Sequence, residues 1–295
     1  IFYIGIQKNN SFCSTMRKTQ FLSKLAPLDA QADHLEISRL VAYYDFPWDT
    51  TRALELALFR TFAVPSIGNL LYKTQEFTRR TQKRYDDTDL LLSEIIEHGY
   101  DSERGQAALS RMNRMHAHFH ISNEDMLYVL STFVIEPYRW NLRFGYRIST
   151  VKELDAGHRL WFEIGTRMGI TDIPNTFRAL EQFNIAYEKA HFAYSEAGRK
   201  VADATLNLML SWFLPRFCWP LARPLVLAIM DEQLLQALQY PEPPKSIRLT
   251  IKGLMSIRKL MLAFIPLPKQ PKLHTKKKNR TYPKGYALED LGVKK

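Results

Sequence analysis

The chain has 295 residues, 46% of them hydrophobic and 12% aromatic, ample material for a core in one domain or two. Its formal charge of +11 is concentrated at one end: from Lys269 to Lys295, nine Lys/Arg face only Glu289 and Asp290, and this local +7 leaves +4 on the body. No zinc-finger spacing, RNP-like aromatic pattern or long basic helix accompanies it, so nucleic acid is not expected as a partner; Cys13 and Cys218, far apart, fit no disulfide framework and point to a reducing, cytoplasmic setting.

Apolar residues recur at three- and four-residue spacing and period-two runs are few, so the expected fold class is all-α. Residues 1–34 read as a loosely attached N-terminal arm. The opening "IFYIGI" is too short for a signal peptide and no basic segment precedes it, and Met16, heading "MRKTQFLSKL", is read as the start. A first body helix is expected from Asp49 or Thr50 to Phe62, with Asp49 as N-cap, stopped by Pro65 and followed by a helix from Ser66.

"DDTDLLLSEIIEHGY" predicts a helix capped by Asp86 or Asp87 and ended by Gly99, with His98 in the last turn. The next begins at Asp101 or Ser102. The one after it opens on Ser122, with Asp125 three residues on, and Pro137 is expected to bend or end it. Further helices are expected around 151–169, 176–197, 199–213, 222–238 and 246–264, and residues 266–295 as an extended Pro- and Lys-rich tail.

Leu206 to Ile229 is long enough to span a membrane but is broken by Pro215, Pro220 and Pro224 and carries Arg216 and Arg223. It is read as a buried helix, a Pro-rich turn and a second helix, or as an interfacial hairpin helped to anionic lipid by the basic tail.

"SRMNRMHAHFH", Ser110 to His120, holds three histidines. On a helix, Ala108, Met112, Met115, His116 and Phe119 share one stripe, and Arg111, Arg114 and His118 lie opposite, so only His116 looks inward. An imidazole there is either a core residue bonded to a carbonyl or carboxylate, or the axial ligand of a haem. A zinc site from His116, His118 and His120 is disfavoured, because these side chains diverge and no HExxH or cysteine partner is present. A GxSxG elbow and a Gly-rich nucleotide loop are also missing.

The stretch from Arg79 to Arg147, with "KRYDDT", "RMNRMH" and "EPYRW", resembles the oxygenase family that contains bacterial rubber oxygenase and the ER-bound oxygenase of mycophenolic acid biosynthesis. The similarity extends through Trp161 to Glu188. The rubber oxygenase has an Arg and a Thr four residues apart and, about thirty residues later, an Arg-x-x-His whose histidine ligates a b-type haem. Arg84 and Thr88 match that spacing, and His116 follows 28 residues after Thr88. Asp87 stands where that pattern has a lysine, Asn113 where it has the arginine before the ligand, and Glu76 is the one carboxylate suggested as a distal base.

The resemblance implies a globin-like helical domain over 35–265 holding haem b, with iron, through His116, and Arg84 and Thr88 as catalytic residues beside it. Arg84, Arg111, Arg139 and Arg143 are candidates to pair with the haem propionates. Glu136 and Arg139 of "EPYRW" read more simply as a structural pair, with Trp140 in the core. The implied reaction uses O2 to cleave or oxygenate a carbon–carbon double bond in an isoprenoid or other lipophilic substrate, with peripheral membrane contact. Two rival expectations are a haem protein without turnover and a cofactor-free helical protein bound at a membrane surface.

Overall fold

The computed structural model describes residues 15–292, and fourteen α-helices account for most of them. In chain order these are α1 (Lys18–Leu25), α2 (His34–Leu40), α3 (Pro47–Phe62), α4 (Pro65–Thr74), α5 (Glu76–Arg79), α6 (Thr81–His98), α7 (Glu103–His116), α8 (Asn123–Phe144), α9 (Val151–Arg167), α10 (Phe177–His191), α11 (Glu196–Ser211), α12 (Trp219–Leu227), α13 (Glu232–Ala237) and α14 (Lys245–Phe264). The all-α class holds.

Local chemistry sets most boundaries. Ser102 and Ser122 cap α7 and α8 by accepting from the Gly105 and Asp125 N–H groups, both at 3.0 Å. Pro47 and Pro65 open α3 and α4 at positions that need no N–H donor. α8 runs straight through Pro137 to Phe144, so that proline does not end it. Its face carries Tyr128, Ile135 and Trp140 into the core, and this burial outweighs one missing backbone bond.

Three expectations are corrected. Asp49 lies inside the first turn of α3, buried, where its carboxylate accepts from Trp140 Nε1 at 2.8 Å and from both Nη atoms of Arg258. Asp86 and Asp87 lie within α6, not at its cap. The helix expected over 222–238 is two short ones, α12 and α13.

Leu206 to Ile229 resolves into the end of α11, a turn, a 3₁₀ segment at Arg216–Cys218, and α12. Among the described residues no single helix is long and apolar enough to cross a membrane. The bent pair α3–α4, with 99° between its axes, passes by length and composition, but Ala53, Phe59 and Phe62 of α3 are buried against neighbouring helices.

Of the N-terminal arm, residues 1–14 lie outside the described residues. The rest is packed: Met16, Phe21 and Leu25 are buried with Ile37, Leu40, Ala156 and Leu267, and Thr15–Met16 pair antiparallel with Leu267–Pro268. The C-terminal segment is likewise docked along its length. Tyr282 Oη donates to Asp87 at 2.6 Å, Tyr286 Oη to Glu94 at 2.5 Å, and Leu291 is fully buried beside α6 and α7.

Candidate functional site

The site is built on the α6–α7 hairpin. Gly99 ends α6 with φ +89°, a conformation that favours glycine, and α7 returns so closely that a Cβ on Gly105 would sit 1.9 Å from the Gly99 carbonyl oxygen. The turn brings the end of α7 beside the start of α6, and His116 beside Arg84.

His116 is largely buried, and its Nδ1 has no hydrogen-bond partner among the described residues. Burial, with the nearby Arg84 charge, pushes its pKa down to about 4. The ring is therefore neutral at physiological pH and keeps a lone pair for a ligand bond.

Arg84 donates through Nη1 to Thr88 Oγ1, and its guanidinium lies 4.9 Å from the centroid of the Phe77 ring. It forms no ion pair with a carboxylate among the described residues, and burial pulls its pKa below the ordinary arginine range. Thr88 donates its own hydroxyl proton to the Arg84 carbonyl at 2.9 Å, so its remaining lone pairs receive Arg84. The structure thus brings together His116, Arg84 and Thr88.

The other predicted residues are engaged elsewhere. Arg111 donates to the Leu291 and Glu289 carbonyls at 2.7 and 2.8 Å and holds the C-terminal segment. Arg139 donates to Glu136 at 2.7 Å and to Asn184 at 2.8 Å, and Arg143 to the Ile229 carbonyl at 2.8 Å. Glu76 pairs with Arg80. Asp87 accepts from Lys83 and Tyr282, so the position where the rubber-oxygenase pattern has a lysine here anchors the C-terminal segment. Asn113 donates to the Arg167 carbonyl at the end of α9.

Thr88 also lines a cavity of about 80 Å³ between α3, α6 and α8, walled mainly by Leu54, Leu58, Leu92, Ile96 and Phe133. Two polar groups there escaped the sequence reading. Glu55 accepts from Tyr85 Oη at 2.6 Å and from Arg52 at 2.7 Å, and burial pushes its pKa up. His274, from the C-terminal segment, pairs with Asp89 at 2.7 Å. The signal for Glu55 was a single carboxylate within the apolar run "ALELALF"; His274 lies 185 residues from its partner and left none.

The class of the chain follows first from this all-α fold. Compared with the structure of latex clearing protein in the closed state, it gives a TM-score of 0.53 at 15% identity, over 86% of this chain and 75% of that one, which establishes the fold alone. Residues 44–261 match the family described as ER-bound oxygenase mpaB/B'/rubber oxygenase, catalytic domain, and the chain belongs to that family.

Among relatives, the ER-bound oxygenase mpaB' of Penicillium brevicompactum is 27% identical over 251 residues, 79% of this chain and 59% of that protein. The ER-bound oxygenase mpaB of Penicillium roqueforti (strain FM164) is 27% identical over 225 residues, 70% of this chain and 75% of that protein. The ER-bound oxygenase mpaB of Penicillium brevicompactum is 27% identical over 238 residues, 74% of this chain and 60% of that protein. The chain thus spans less than two thirds of the length of the two Penicillium brevicompactum relatives.

Proposed function

We propose that the chain is an oxygenase carrying one haem b, which His116 would hold through its iron, and that it uses O2 to cleave or oxygenate a carbon–carbon double bond in an isoprenoid or other lipophilic chain. The observation that carries this reading is the pairing, on one hairpin, of a neutral imidazole with an unpartnered buried Nδ1 and a desolvated guanidinium that forms no ion pair among the described residues, with Asp87 and Glu76 acting on it only at longer range.

Each is costly alone, since buried polar groups without partners lose free energy and buried charges lose more. A macrocycle that carries carboxylates and accepts an imidazole ligand suits both. Among the described residues no three His, Cys, Asp or Glu side chains gather to hold a metal ion, so His116 alone suits a metal that brings its other ligands with it.

When bound, the haem supplies the oxygen chemistry. The chain's own residues do the rest. Arg84 offers charge-assisted donors at the cofactor edge, and Thr88 fixes its orientation. The apolar walls of the cavity beside Thr88 hold hydrocarbon and exclude water, and Glu55 is the carboxyl placed there to hold a proton. Cleavage balances without an external reductant: one O2 and one C=C give two carbonyl ends. Arg111 and Arg139 act in this reading through the C-terminal segment and the helix packing. The relatives are named ER-bound, and we place this chain at the cytoplasmic surface of a membrane, as a peripheral protein.

The test is to incubate the haem-loaded protein with a polyisoprenoid under O2 and to look for paired carbonyl products by mass spectrometry. Products that are lost in Arg84→Met and Thr88→Val support the reading. Bound haem with no products makes the chain a haem protein without turnover, and a folded chain that takes up no haem makes it a cofactor-free surface protein.

A further inference from the structure

The longest stretch of the chain without an acidic residue lies between Glu242 and Glu289, with twelve Lys/Arg and no Asp or Glu. Helix α14, Lys245–Phe264, begins it, and only Met255 of its twenty residues is fully buried. At about 100° per residue the helix divides into three sectors.

One sector, with Ile251, Met255, Arg258 and Leu262, is turned toward the protein. Arg258 is held there by Asp49 at 2.8 Å, and Met255 packs in the core. A second, within an arc of roughly 120°, carries Leu249, Ile257, Leu260, Met261 and Phe264, all exposed, with Leu260 at 64% and Phe264 at 87%. Between these two, along one border, Lys245, Lys252 and Lys259 recur every seven residues, the first two exposed and Lys259 half-buried, and none has an ion-pair partner among the described residues. α12, which packs against α14, adds Leu221 at 80% exposed, and the 3₁₀ segment before it adds Phe217 at 82%.

We infer that the outward face of α14 docks on an anionic lipid bilayer, the helix lying in the interfacial plane with Leu260 and Phe264 inserted and the lysine row at the headgroups. A row of exposed large apolar side chains costs solubility unless something covers it. The charge identifies the occupant: the apolar sector is bordered by unpaired lysines whose long stems reach past it to anionic headgroups, as in an interfacial amphipathic helix. A second copy of this chain would set like-charged lysine rows against one another, because a two-fold interface pairs the same patch with itself.

The inference rests on the membrane-peripheral part of the function proposed above and is independent of its oxygenase part, since binding to vesicles needs neither haem nor turnover.

The test is flotation of the full chain with phosphatidylcholine vesicles, with and without about 30% phosphatidylserine. Wild type is expected to float with the anionic vesicles and to be released as salt rises from about 0.05 to about 0.5 M. Leu260→Glu with Phe264→Glu is expected to weaken binding at least about tenfold. Lys252→Gln with Lys259→Gln is expected to weaken it on anionic vesicles only. The changed side chains are exposed apart from the half-buried Lys259, and an unchanged circular-dichroism melt confirms the folding of both variants.

Wild type that floats with neither vesicle overturns the membrane-peripheral reading itself. Wild type that floats while both α14 variants float equally well leaves that reading standing and overturns the assignment to α14, as does loss of binding only when Lys276 and Lys278 of the C-terminal segment are changed to Gln. A concentration-dependent dimer that Phe264→Glu abolishes overturns it in favour of a second copy.

Discussion

Arg60, buried, and Arg84, half-buried at the candidate site, are treated in opposite ways. Arg60, 3% exposed, donates from Nε and Nη2 to the two carboxylate oxygens of Glu188 at 2.6 and 2.5 Å. It also lies 3.4 Å from Glu136 and pairs with Asp231, which drives its pKa up despite burial. Arg84 has a threonine hydroxyl and an aromatic ring, and burial drives its pKa down. Arg60 ties α3 to α8, α10 and α13 and is complete. Arg84 lies beside His116, whose Nδ1 has no partner among the described residues. Arg60 has its carboxylates paired to it, and Arg84 has none in an ion pair among the described residues.

The comparison is sharpened by removing each charge in turn. Arg60→Met leaves the buried Glu188 and Glu136 to share Arg139 alone and is expected to cost about 3–5 kcal/mol in urea unfolding. The same variant should show in acid. Burial raises the Asp231 pKa, but Arg60 and the Leu234 N–H more than offset this and hold the carboxylate below its usual range. Its contribution is therefore present above the unfolded carboxylate pKa and is lost as pH falls through the folded one, and Arg60→Met should remove that part of the acid limb.

Arg111→Ala, which frees the Leu291 and Glu289 carbonyls, is expected to cost about 1–3 kcal/mol and to speed amide exchange over residues 282–292 while leaving haem capture intact. Arg84→Met removes a buried charge with no carboxylate to orphan. It should change the stability of the haem-free protein by less than about 1 kcal/mol, in either direction; a loss as large as that of Arg60→Met would erase the distinction. Thr88→Val, which removes one hydroxyl and keeps the shape, should cost the least, about 1 kcal/mol or below, with a shift in the absorption of the haem-loaded protein as its expected signature.

The parts legible in the sequence were those fixed by near neighbours. Ser102, Ser122 and Gly99 act within a few residues of themselves, and each marks a helix end as expected. Helical periodicity turned His116 inward from about three turns of chain. Phe119, placed on the same stripe, is 39% exposed because α7 ends at His116 and Phe119 belongs to the turn beyond.

The failures share a long reach. Asp49 has the chemistry of an N-cap, but its partners Trp140 and Arg258 are 91 and 209 residues away. The C-terminal segment has the composition of a solvated tail, yet Tyr282, Tyr286 and Leu291 anchor it to α6 and α7. Composition averages over such sparse anchors and misses them.

Whether His116 serves a haem is decided by the absorption spectrum of the purified protein, as isolated and after reduction, beside His116→Ala with haem supplied to both. A Soret band stoichiometric with wild-type protein and absent from the folded variant is the predicted result. A folded wild type that stays colourless with haem in excess, or a variant that binds haem with an unchanged spectrum, would contradict it.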